Sequence, residues 1–152
     1  MKRLTLLAAL AALLAASAAP AATAPQYRAK LNGICRSFTP RLKASQETMA
    51  HATTAAKPKV FEAALRRFLV LGLRQNHQLE GVAVPRKLQR QMTPIIKRLK
   101  KIDPHVHKAL VHSRAGDLKG TRSQLKTISK LSEPISGQLD AAGLLECGSN
   151  QL

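Results

Sequence analysis

The chain has 152 residues, twenty-five Lys or Arg against eight Asp or Glu, a formal charge of +17 and two cysteines. That length suits one domain, and with no Trp, one Tyr and three Phe the chain has too few rings for a base-stacking reader of single strands. It carries no helix-turn-helix or zinc-finger pattern, no Gly-x-Ser-x-Gly elbow, no phosphate-binding Gly-rich loop and no His-Glu-x-x-His. Sequence-specific nucleic-acid binding and motif-borne catalysis are therefore set aside, and a noncatalytic protein without a cofactor is expected.

The chain opens as a secretory signal: basic Lys2 and Arg3, an apolar run from Leu4 to Ala16, then small residues. Ala16-Ser17-Ala18 is the best cleavage signature, which predicts a signal peptide over 1–18, a flexible leader over 19–25 and a secreted, periplasmic or envelope location. The rival reading is an uncleaved anchor, although the run is short for a membrane span. A lipid-modified Cys35 is rejected, because Ile34 precedes it and Arg28 and Lys30 separate it from the apolar run.

Residues 26–147 read as a four-helix domain, since apolar positions recur at steps of three and four and no alternating run or Asn-Gly hairpin occurs. Tyr27, Leu31, Ile34, Cys35, Phe38, Leu42, Ser45, Met49 and Ala52 recur at three- and four-residue steps and define one face of helix one; Pro40 predicts a kink, or a restart capped by Thr39. Thr53 or Thr54 ends it and Pro58 opens helix two, whose stripe includes Phe61, Leu65, Phe68, Leu71 and Leu79. Gly81 stops helix two and Pro85 restarts the chain.

Helix three places Met92, Ile95, Ile96, Leu99, Ile102, Val106 and Leu110 on one side and Arg86, Lys87, Arg90, Lys97, Arg98, Lys101 and Lys108 on the other. The apolar phase continues past Asp103-Pro104, which predicts one helix kinked there rather than two. Gly116 ends it, Asp117 caps helix four, and Leu118, Leu125, Ile128, Leu131, Ile135, Leu139 and Ala142 carry that helix to Gly143; residues 148–152 form a tail.

Four helices joined by short turns run up, down, up and down, so an even count brings the chain ends to one pole. Cys147 then lies beside Cys35, and one disulfide closes the all-α bundle; loop closure of that length stabilises by about 4 to 5 kcal/mol. A reactive thiol or an intermolecular bridge is the alternative. An early Cys35, the Gly116-Asp117 turn and the closing Gly143-Leu144-x-x-Cys147 resemble small exported helical-bundle proteins of high-GC bacteria. The resemblance implies the fold over the whole exported chain and supplies no activity or catalytic residue.

Between Arg86 and Lys130 lie thirteen Lys or Arg and only two acids, Asp103 and Asp117. Such a flank attracts anionic envelope polymers or lipid headgroups over a screening length of about 8 Å, and nucleic acid nonspecifically. The competing reading is a merely solubilising surface. The second functional reading is a metal-responsive bundle: His105 and His112 share a polar face, with Asp103 as a nearby carboxylate and a further ligand required from another helix.

Overall fold

A computed structural model describes residues 22–149, which leaves the expected signal, its cleavage point at Ala18 and the last three residues outside the described part. Four α-helices dominate it: α1 Ala24–Thr54, α2 Pro58–Glu80, α3 Gln89–Arg114 and α4 Leu118–Ala141, with a 3-10 turn Arg86–Leu88 before α3. No strand occurs among the described residues.

Helix α1 starts earlier than the expected leader boundary, and its cap explains why. The Thr23 hydroxyl accepts from the Gln26 amide at 3.4 Å while Gln26 Oε1 accepts from the Thr23 amide at 2.9 Å, a reciprocal capping box that pulls Ala24 and Pro25 into the helix. Pro40 causes no restart. Thr39 does not cap; its hydroxyl donates to the Cys35 carbonyl at 3.0 Å, and α1 runs unbroken. Tyr27, Leu31, Cys35, Phe38, Leu42 and Ala52 are buried along one stripe on both sides of Pro40, so packing outweighs the one backbone hydrogen bond that proline removes. The same holds in α3, which continues through Pro94 and Pro104 with Ile95, Leu99, Ile102, Val106 and Leu110 buried.

Three helices end with the same backbone device. A residue in the left-handed region follows the last turn, and the next amide reaches back to a carbonyl of that turn. Gly116 has φ 71° and the Asp117 amide donates to His112 O at 2.9 Å; Gly143 has φ 76° and the Leu144 amide donates to Leu139 O at 2.9 Å. At the end of α1 the same position is held by Ala56, with φ 50° and the Lys57 amide donating to Ala52 O at 2.8 Å. Gly81 ends α2 without entering the left-handed region.

Helix α1 packs along α2 and α3 along α4, while α2 and α3 join the two hairpins. The backbones of α1 and α4 scarcely approach each other. Those hairpins are tied instead by the segment beyond α4. Cys147 is bonded to Cys35, with S–S 2.02 Å and Cα–Cα 5.1 Å, as an even helix count requires. Arg28 Nε donates to Ala142 O at 2.7 Å, Asn32 Nδ2 to Gly143 O at 3.2 Å and Gln91 Nε2 to Ala141 O at 2.8 Å. These side chains satisfy carbonyls that the end of α4 leaves open, and Arg28 brings its charge to the negative end of that helix. The main core gathers at this pole, with Tyr27, Leu31, Leu144 and Cys35 fully enclosed. Gly148 and Ser149, expected in the tail, belong to this clasp: Gly148 is buried and the Ser149 amide donates to Asp140 Oδ1 at 3.0 Å.

Candidate functional site

The seven basic residues expected to act together lie on two elements. Leu88 is buried and anchors the 3-10 turn, which leaves Arg86 and Lys87 exposed on its outer side. On α3, Arg90, Lys97, Lys101 and Lys108 are all exposed and fall within an arc of about 40° at 3.6 residues per turn. Their spacing follows from the buried stripe, since positions seven or eleven apart return to nearly the same side of a helix. Arg98 departs from this row. It is half-buried and lies on the flank from which His105 reaches α4.

On α4 the exposed bases Lys119, Arg122, Lys126 and Lys130 also share one side, spanning an arc of about 80°, with Glu133 on the same side. Among the described residues, the Lys and Arg within ion-pairing distance of a carboxylate are Arg36, with Glu146, and Arg66, with Glu62. None of the bases between Arg86 and Lys130 has such a partner there.

The histidines are used structurally. His105 Nδ1 donates to Gln124 Oε1 at 2.9 Å and His112 Nδ1 donates to Asp117 Oδ2 at 2.8 Å, so each binds a separate residue of α4 or its cap. Asp103 faces the other way, toward α2, where it accepts from His77 Nε2 at 3.1 Å and Asn76 Nδ2 at 3.4 Å. His105, His112 and Asp103 are thus not brought together. Among the described residues no group of three or more His, Cys, Asp or Glu is placed to hold a metal ion.

Two carboxylates have displaced acidities. Asp117 is held below the usual aspartate value, first by the Gly120 amide it caps and further by the hydrogen bond and charge of His112, against partial desolvation. Glu80 is raised, chiefly by burial and then by the Asp103 carboxylate, with Lys100 and His77 opposing; its Oε1 is buried without a hydrogen-bond partner. Gly120 has a role that helical periodicity does not reveal. A Cβ there would collide with the His112 ring and the Asp117 carboxylate, so the missing side chain makes room for the pair that locks the α3–α4 turn.

Comparison with protein-family models, with curated proteins and with solved structures returns no match.

Proposed function

We propose that this protein is an exported, noncatalytic binding protein of the cell envelope that holds anionic polymers or lipid headgroups through the outer side of α3, the preceding 3-10 turn and the adjoining part of α4. The observation that carries this reading is the run of exposed bases, Arg86, Lys87, Arg90, Lys97, Lys101 and Lys108, without a carboxylate partner among the described residues. Unpaired exposed cations keep their field available to a partner, whereas ion-paired ones spend it locally. The apolar side of α3 is buried, so attachment is electrostatic rather than insertive. Export rests on the sequence of residues 1–18 and on a disulfide suited to an oxidising compartment. Kinship with the small exported helical-bundle proteins of high-GC bacteria belongs to the same reading.

Replacing Arg90, Lys97, Lys101 and Lys108 with Gln tests it. Retention on anionic vesicles, on wall polymer and on DNA should fall at low salt. On DNA the slope of log affinity against log salt should shrink by about 3 to 4, one unit for each phosphate no longer neutralised. Unchanged retention on all three would reduce the flank to a solvated surface.

A further inference from the structure

At the pole opposite the disulfide, the structure opens a cleft of about 520 Å³ between the turn joining α1 to α2 and the start of α4. Its origin lies in the way the bundle is tied. The hairpins are clamped at the other pole by the clasp around Cys35–Cys147, and the N-terminal half of α4 buries Thr121 alone while Leu125 and Ile128 stay partly open. We propose that this cleft binds a free single-chain fatty acid, with the acyl chain inside and the carboxylate at the rim.

The chemistry of the lining favours that ligand class. Phe61, Leu65, Leu118 and Leu125 provide apolar walls, and Leu118, at 64% exposure, is a large apolar side chain left uncovered at the lip. The volume lies within the range of about 300 to 1,000 Å³ usual for small-molecule sites. Two cations, Lys57 and Arg122, stand at the rim, both exposed and without a carboxylate partner among the described residues. The acid in the lining, Glu62, faces Arg66 at 3.8 Å. Ser113 also lines the cleft at 5% exposure, with a hydroxyl that has no hydrogen-bond partner and that the carboxylate end of a ligand, but not its alkyl chain, could satisfy. An apolar cleft edged by two exposed cations without a carboxylate partner among the described residues fits a hydrocarbon with one negative end. A polyanion would find no use for the apolar walls, and a neutral lipid none for the cations.

This inference is independent of the α3 flank and can be tested apart from it. The protein isolated from expressing cells and stripped of lipid is titrated calorimetrically, below micelle-forming concentrations, with dodecanoate, decanoate, dodecanol and dodecyltrimethylammonium. Dodecanoate should bind at one per chain, and decanoate about fifteenfold more weakly, since each of two missing methylenes costs about fourfold. The alcohol and the cation should bind at least tenfold more weakly than dodecanoate. Lys57→Gln combined with Arg122→Gln, both at exposed positions, should weaken dodecanoate at least tenfold and leave the alcohol unchanged. Thr53→Trp, also exposed, places an indole in the mouth of the cleft and should abolish binding. The Gln variant of the α3 flank should bind dodecanoate normally. Absence of saturable binding, indifference to chain length, equal binding of the cationic amphiphile, or binding that survives Thr53→Trp would each overturn the assignment. So would concentration-dependent self-association abolished by Thr53→Trp, which would make a second copy of the chain the occupant.

Discussion

Reducing the Cys35–Cys147 bond should remove most of the margin by which this bundle is stable. The bond joins residues separated by 112 positions, and the loop-closure entropy of a ring that size amounts to about 5 kcal/mol at room temperature. The native side of the equilibrium changes little, because Cys35 is 0% and Cys147 5% exposed, and two thiols can occupy the same enclosed space. Nearly all of the effect therefore lies in the unfolded chain, which regains freedom once the ring opens. Single domains are stable by about 5 to 15 kcal/mol in total, so the reduced protein should be marginal. Urea unfolding followed by far-ultraviolet circular dichroism, with and without a phosphine reductant, measures this. With an m-value of about 1.5 kcal/mol per M, the midpoint should fall by about 3 M. A pair of Cys→Ala changes should reproduce the reduced midpoint and abolish the response to reductant. A reduced midpoint within about 0.7 M of the oxidised one would refute the reasoning, since it would mean that the unfolded chain gains almost nothing when the ring is opened.

Ala56→Gly should raise stability by about 0.5 to 1 kcal/mol, because it relieves a left-handed alanine at the end of α1, offset in part by the freer unfolded glycine; thermal melting checks the sign. Gly120→Ala should destabilise by about 1 kcal/mol although helix propensity alone favours alanine, and in a His112→Ala background the penalty should shrink, with the Asp117 carboxylate still to be displaced. Glu80→Gln should stabilise at neutral pH. The folded-state pKa of Glu80 is displaced upward, so the wild type is at its best relative to the Gln variant below the ordinary glutamate pKa of about 4.3, and loses ground as pH rises through the folded value. Asp117 behaves oppositely: its depressed value means that its support of the α4 cap is complete above about pH 3.9 and fades as pH falls through the lower folded value, which amide exchange at Gly120 should register.

Local chemistry makes much of the architecture legible in the sequence. Gly116, Asp117 and Gly143 mark their turns because a left-handed C-terminus and an acidic N-cap are needs that few residue types meet. The pairing of Cys35 with Cys147 follows from helix parity, a global property that requires no side-chain detail. Ala56 in the same conformation as Gly116 carries no signal, since alanine is common everywhere and the turn holds it by backbone hydrogen bonds alone. The histidines illustrate the other limit. That His105 and His112 share a flank of α3 follows from a seven-residue spacing, but that Gln124 and Asp117 receive them depends on how α4 is rotated about its own axis. Asp103 likewise reads as a carboxylate near His105 and His112 and turns out to bridge to His77 on α2, because the helix keeps its buried stripe continuous past Pro104. The cleft is hidden for a similar reason: Leu125 and Ile128 repeat at helical spacing whether or not a neighbour covers them.

The position of the covalent link has a mechanical consequence. It stands close to both ends of the folded part, so tension applied between the termini runs through Cys35 and Cys147 and bypasses the 112-position ring between them. A stretched molecule would surrender only its short outer segments, and the helical hairpins would bear almost no load. Cutting the link under tension would release the ring as a single added length of roughly 380 Å. A protein tethered at one terminus to a moving or growing surface would in this way keep its shape under strain for as long as its surroundings remain oxidising.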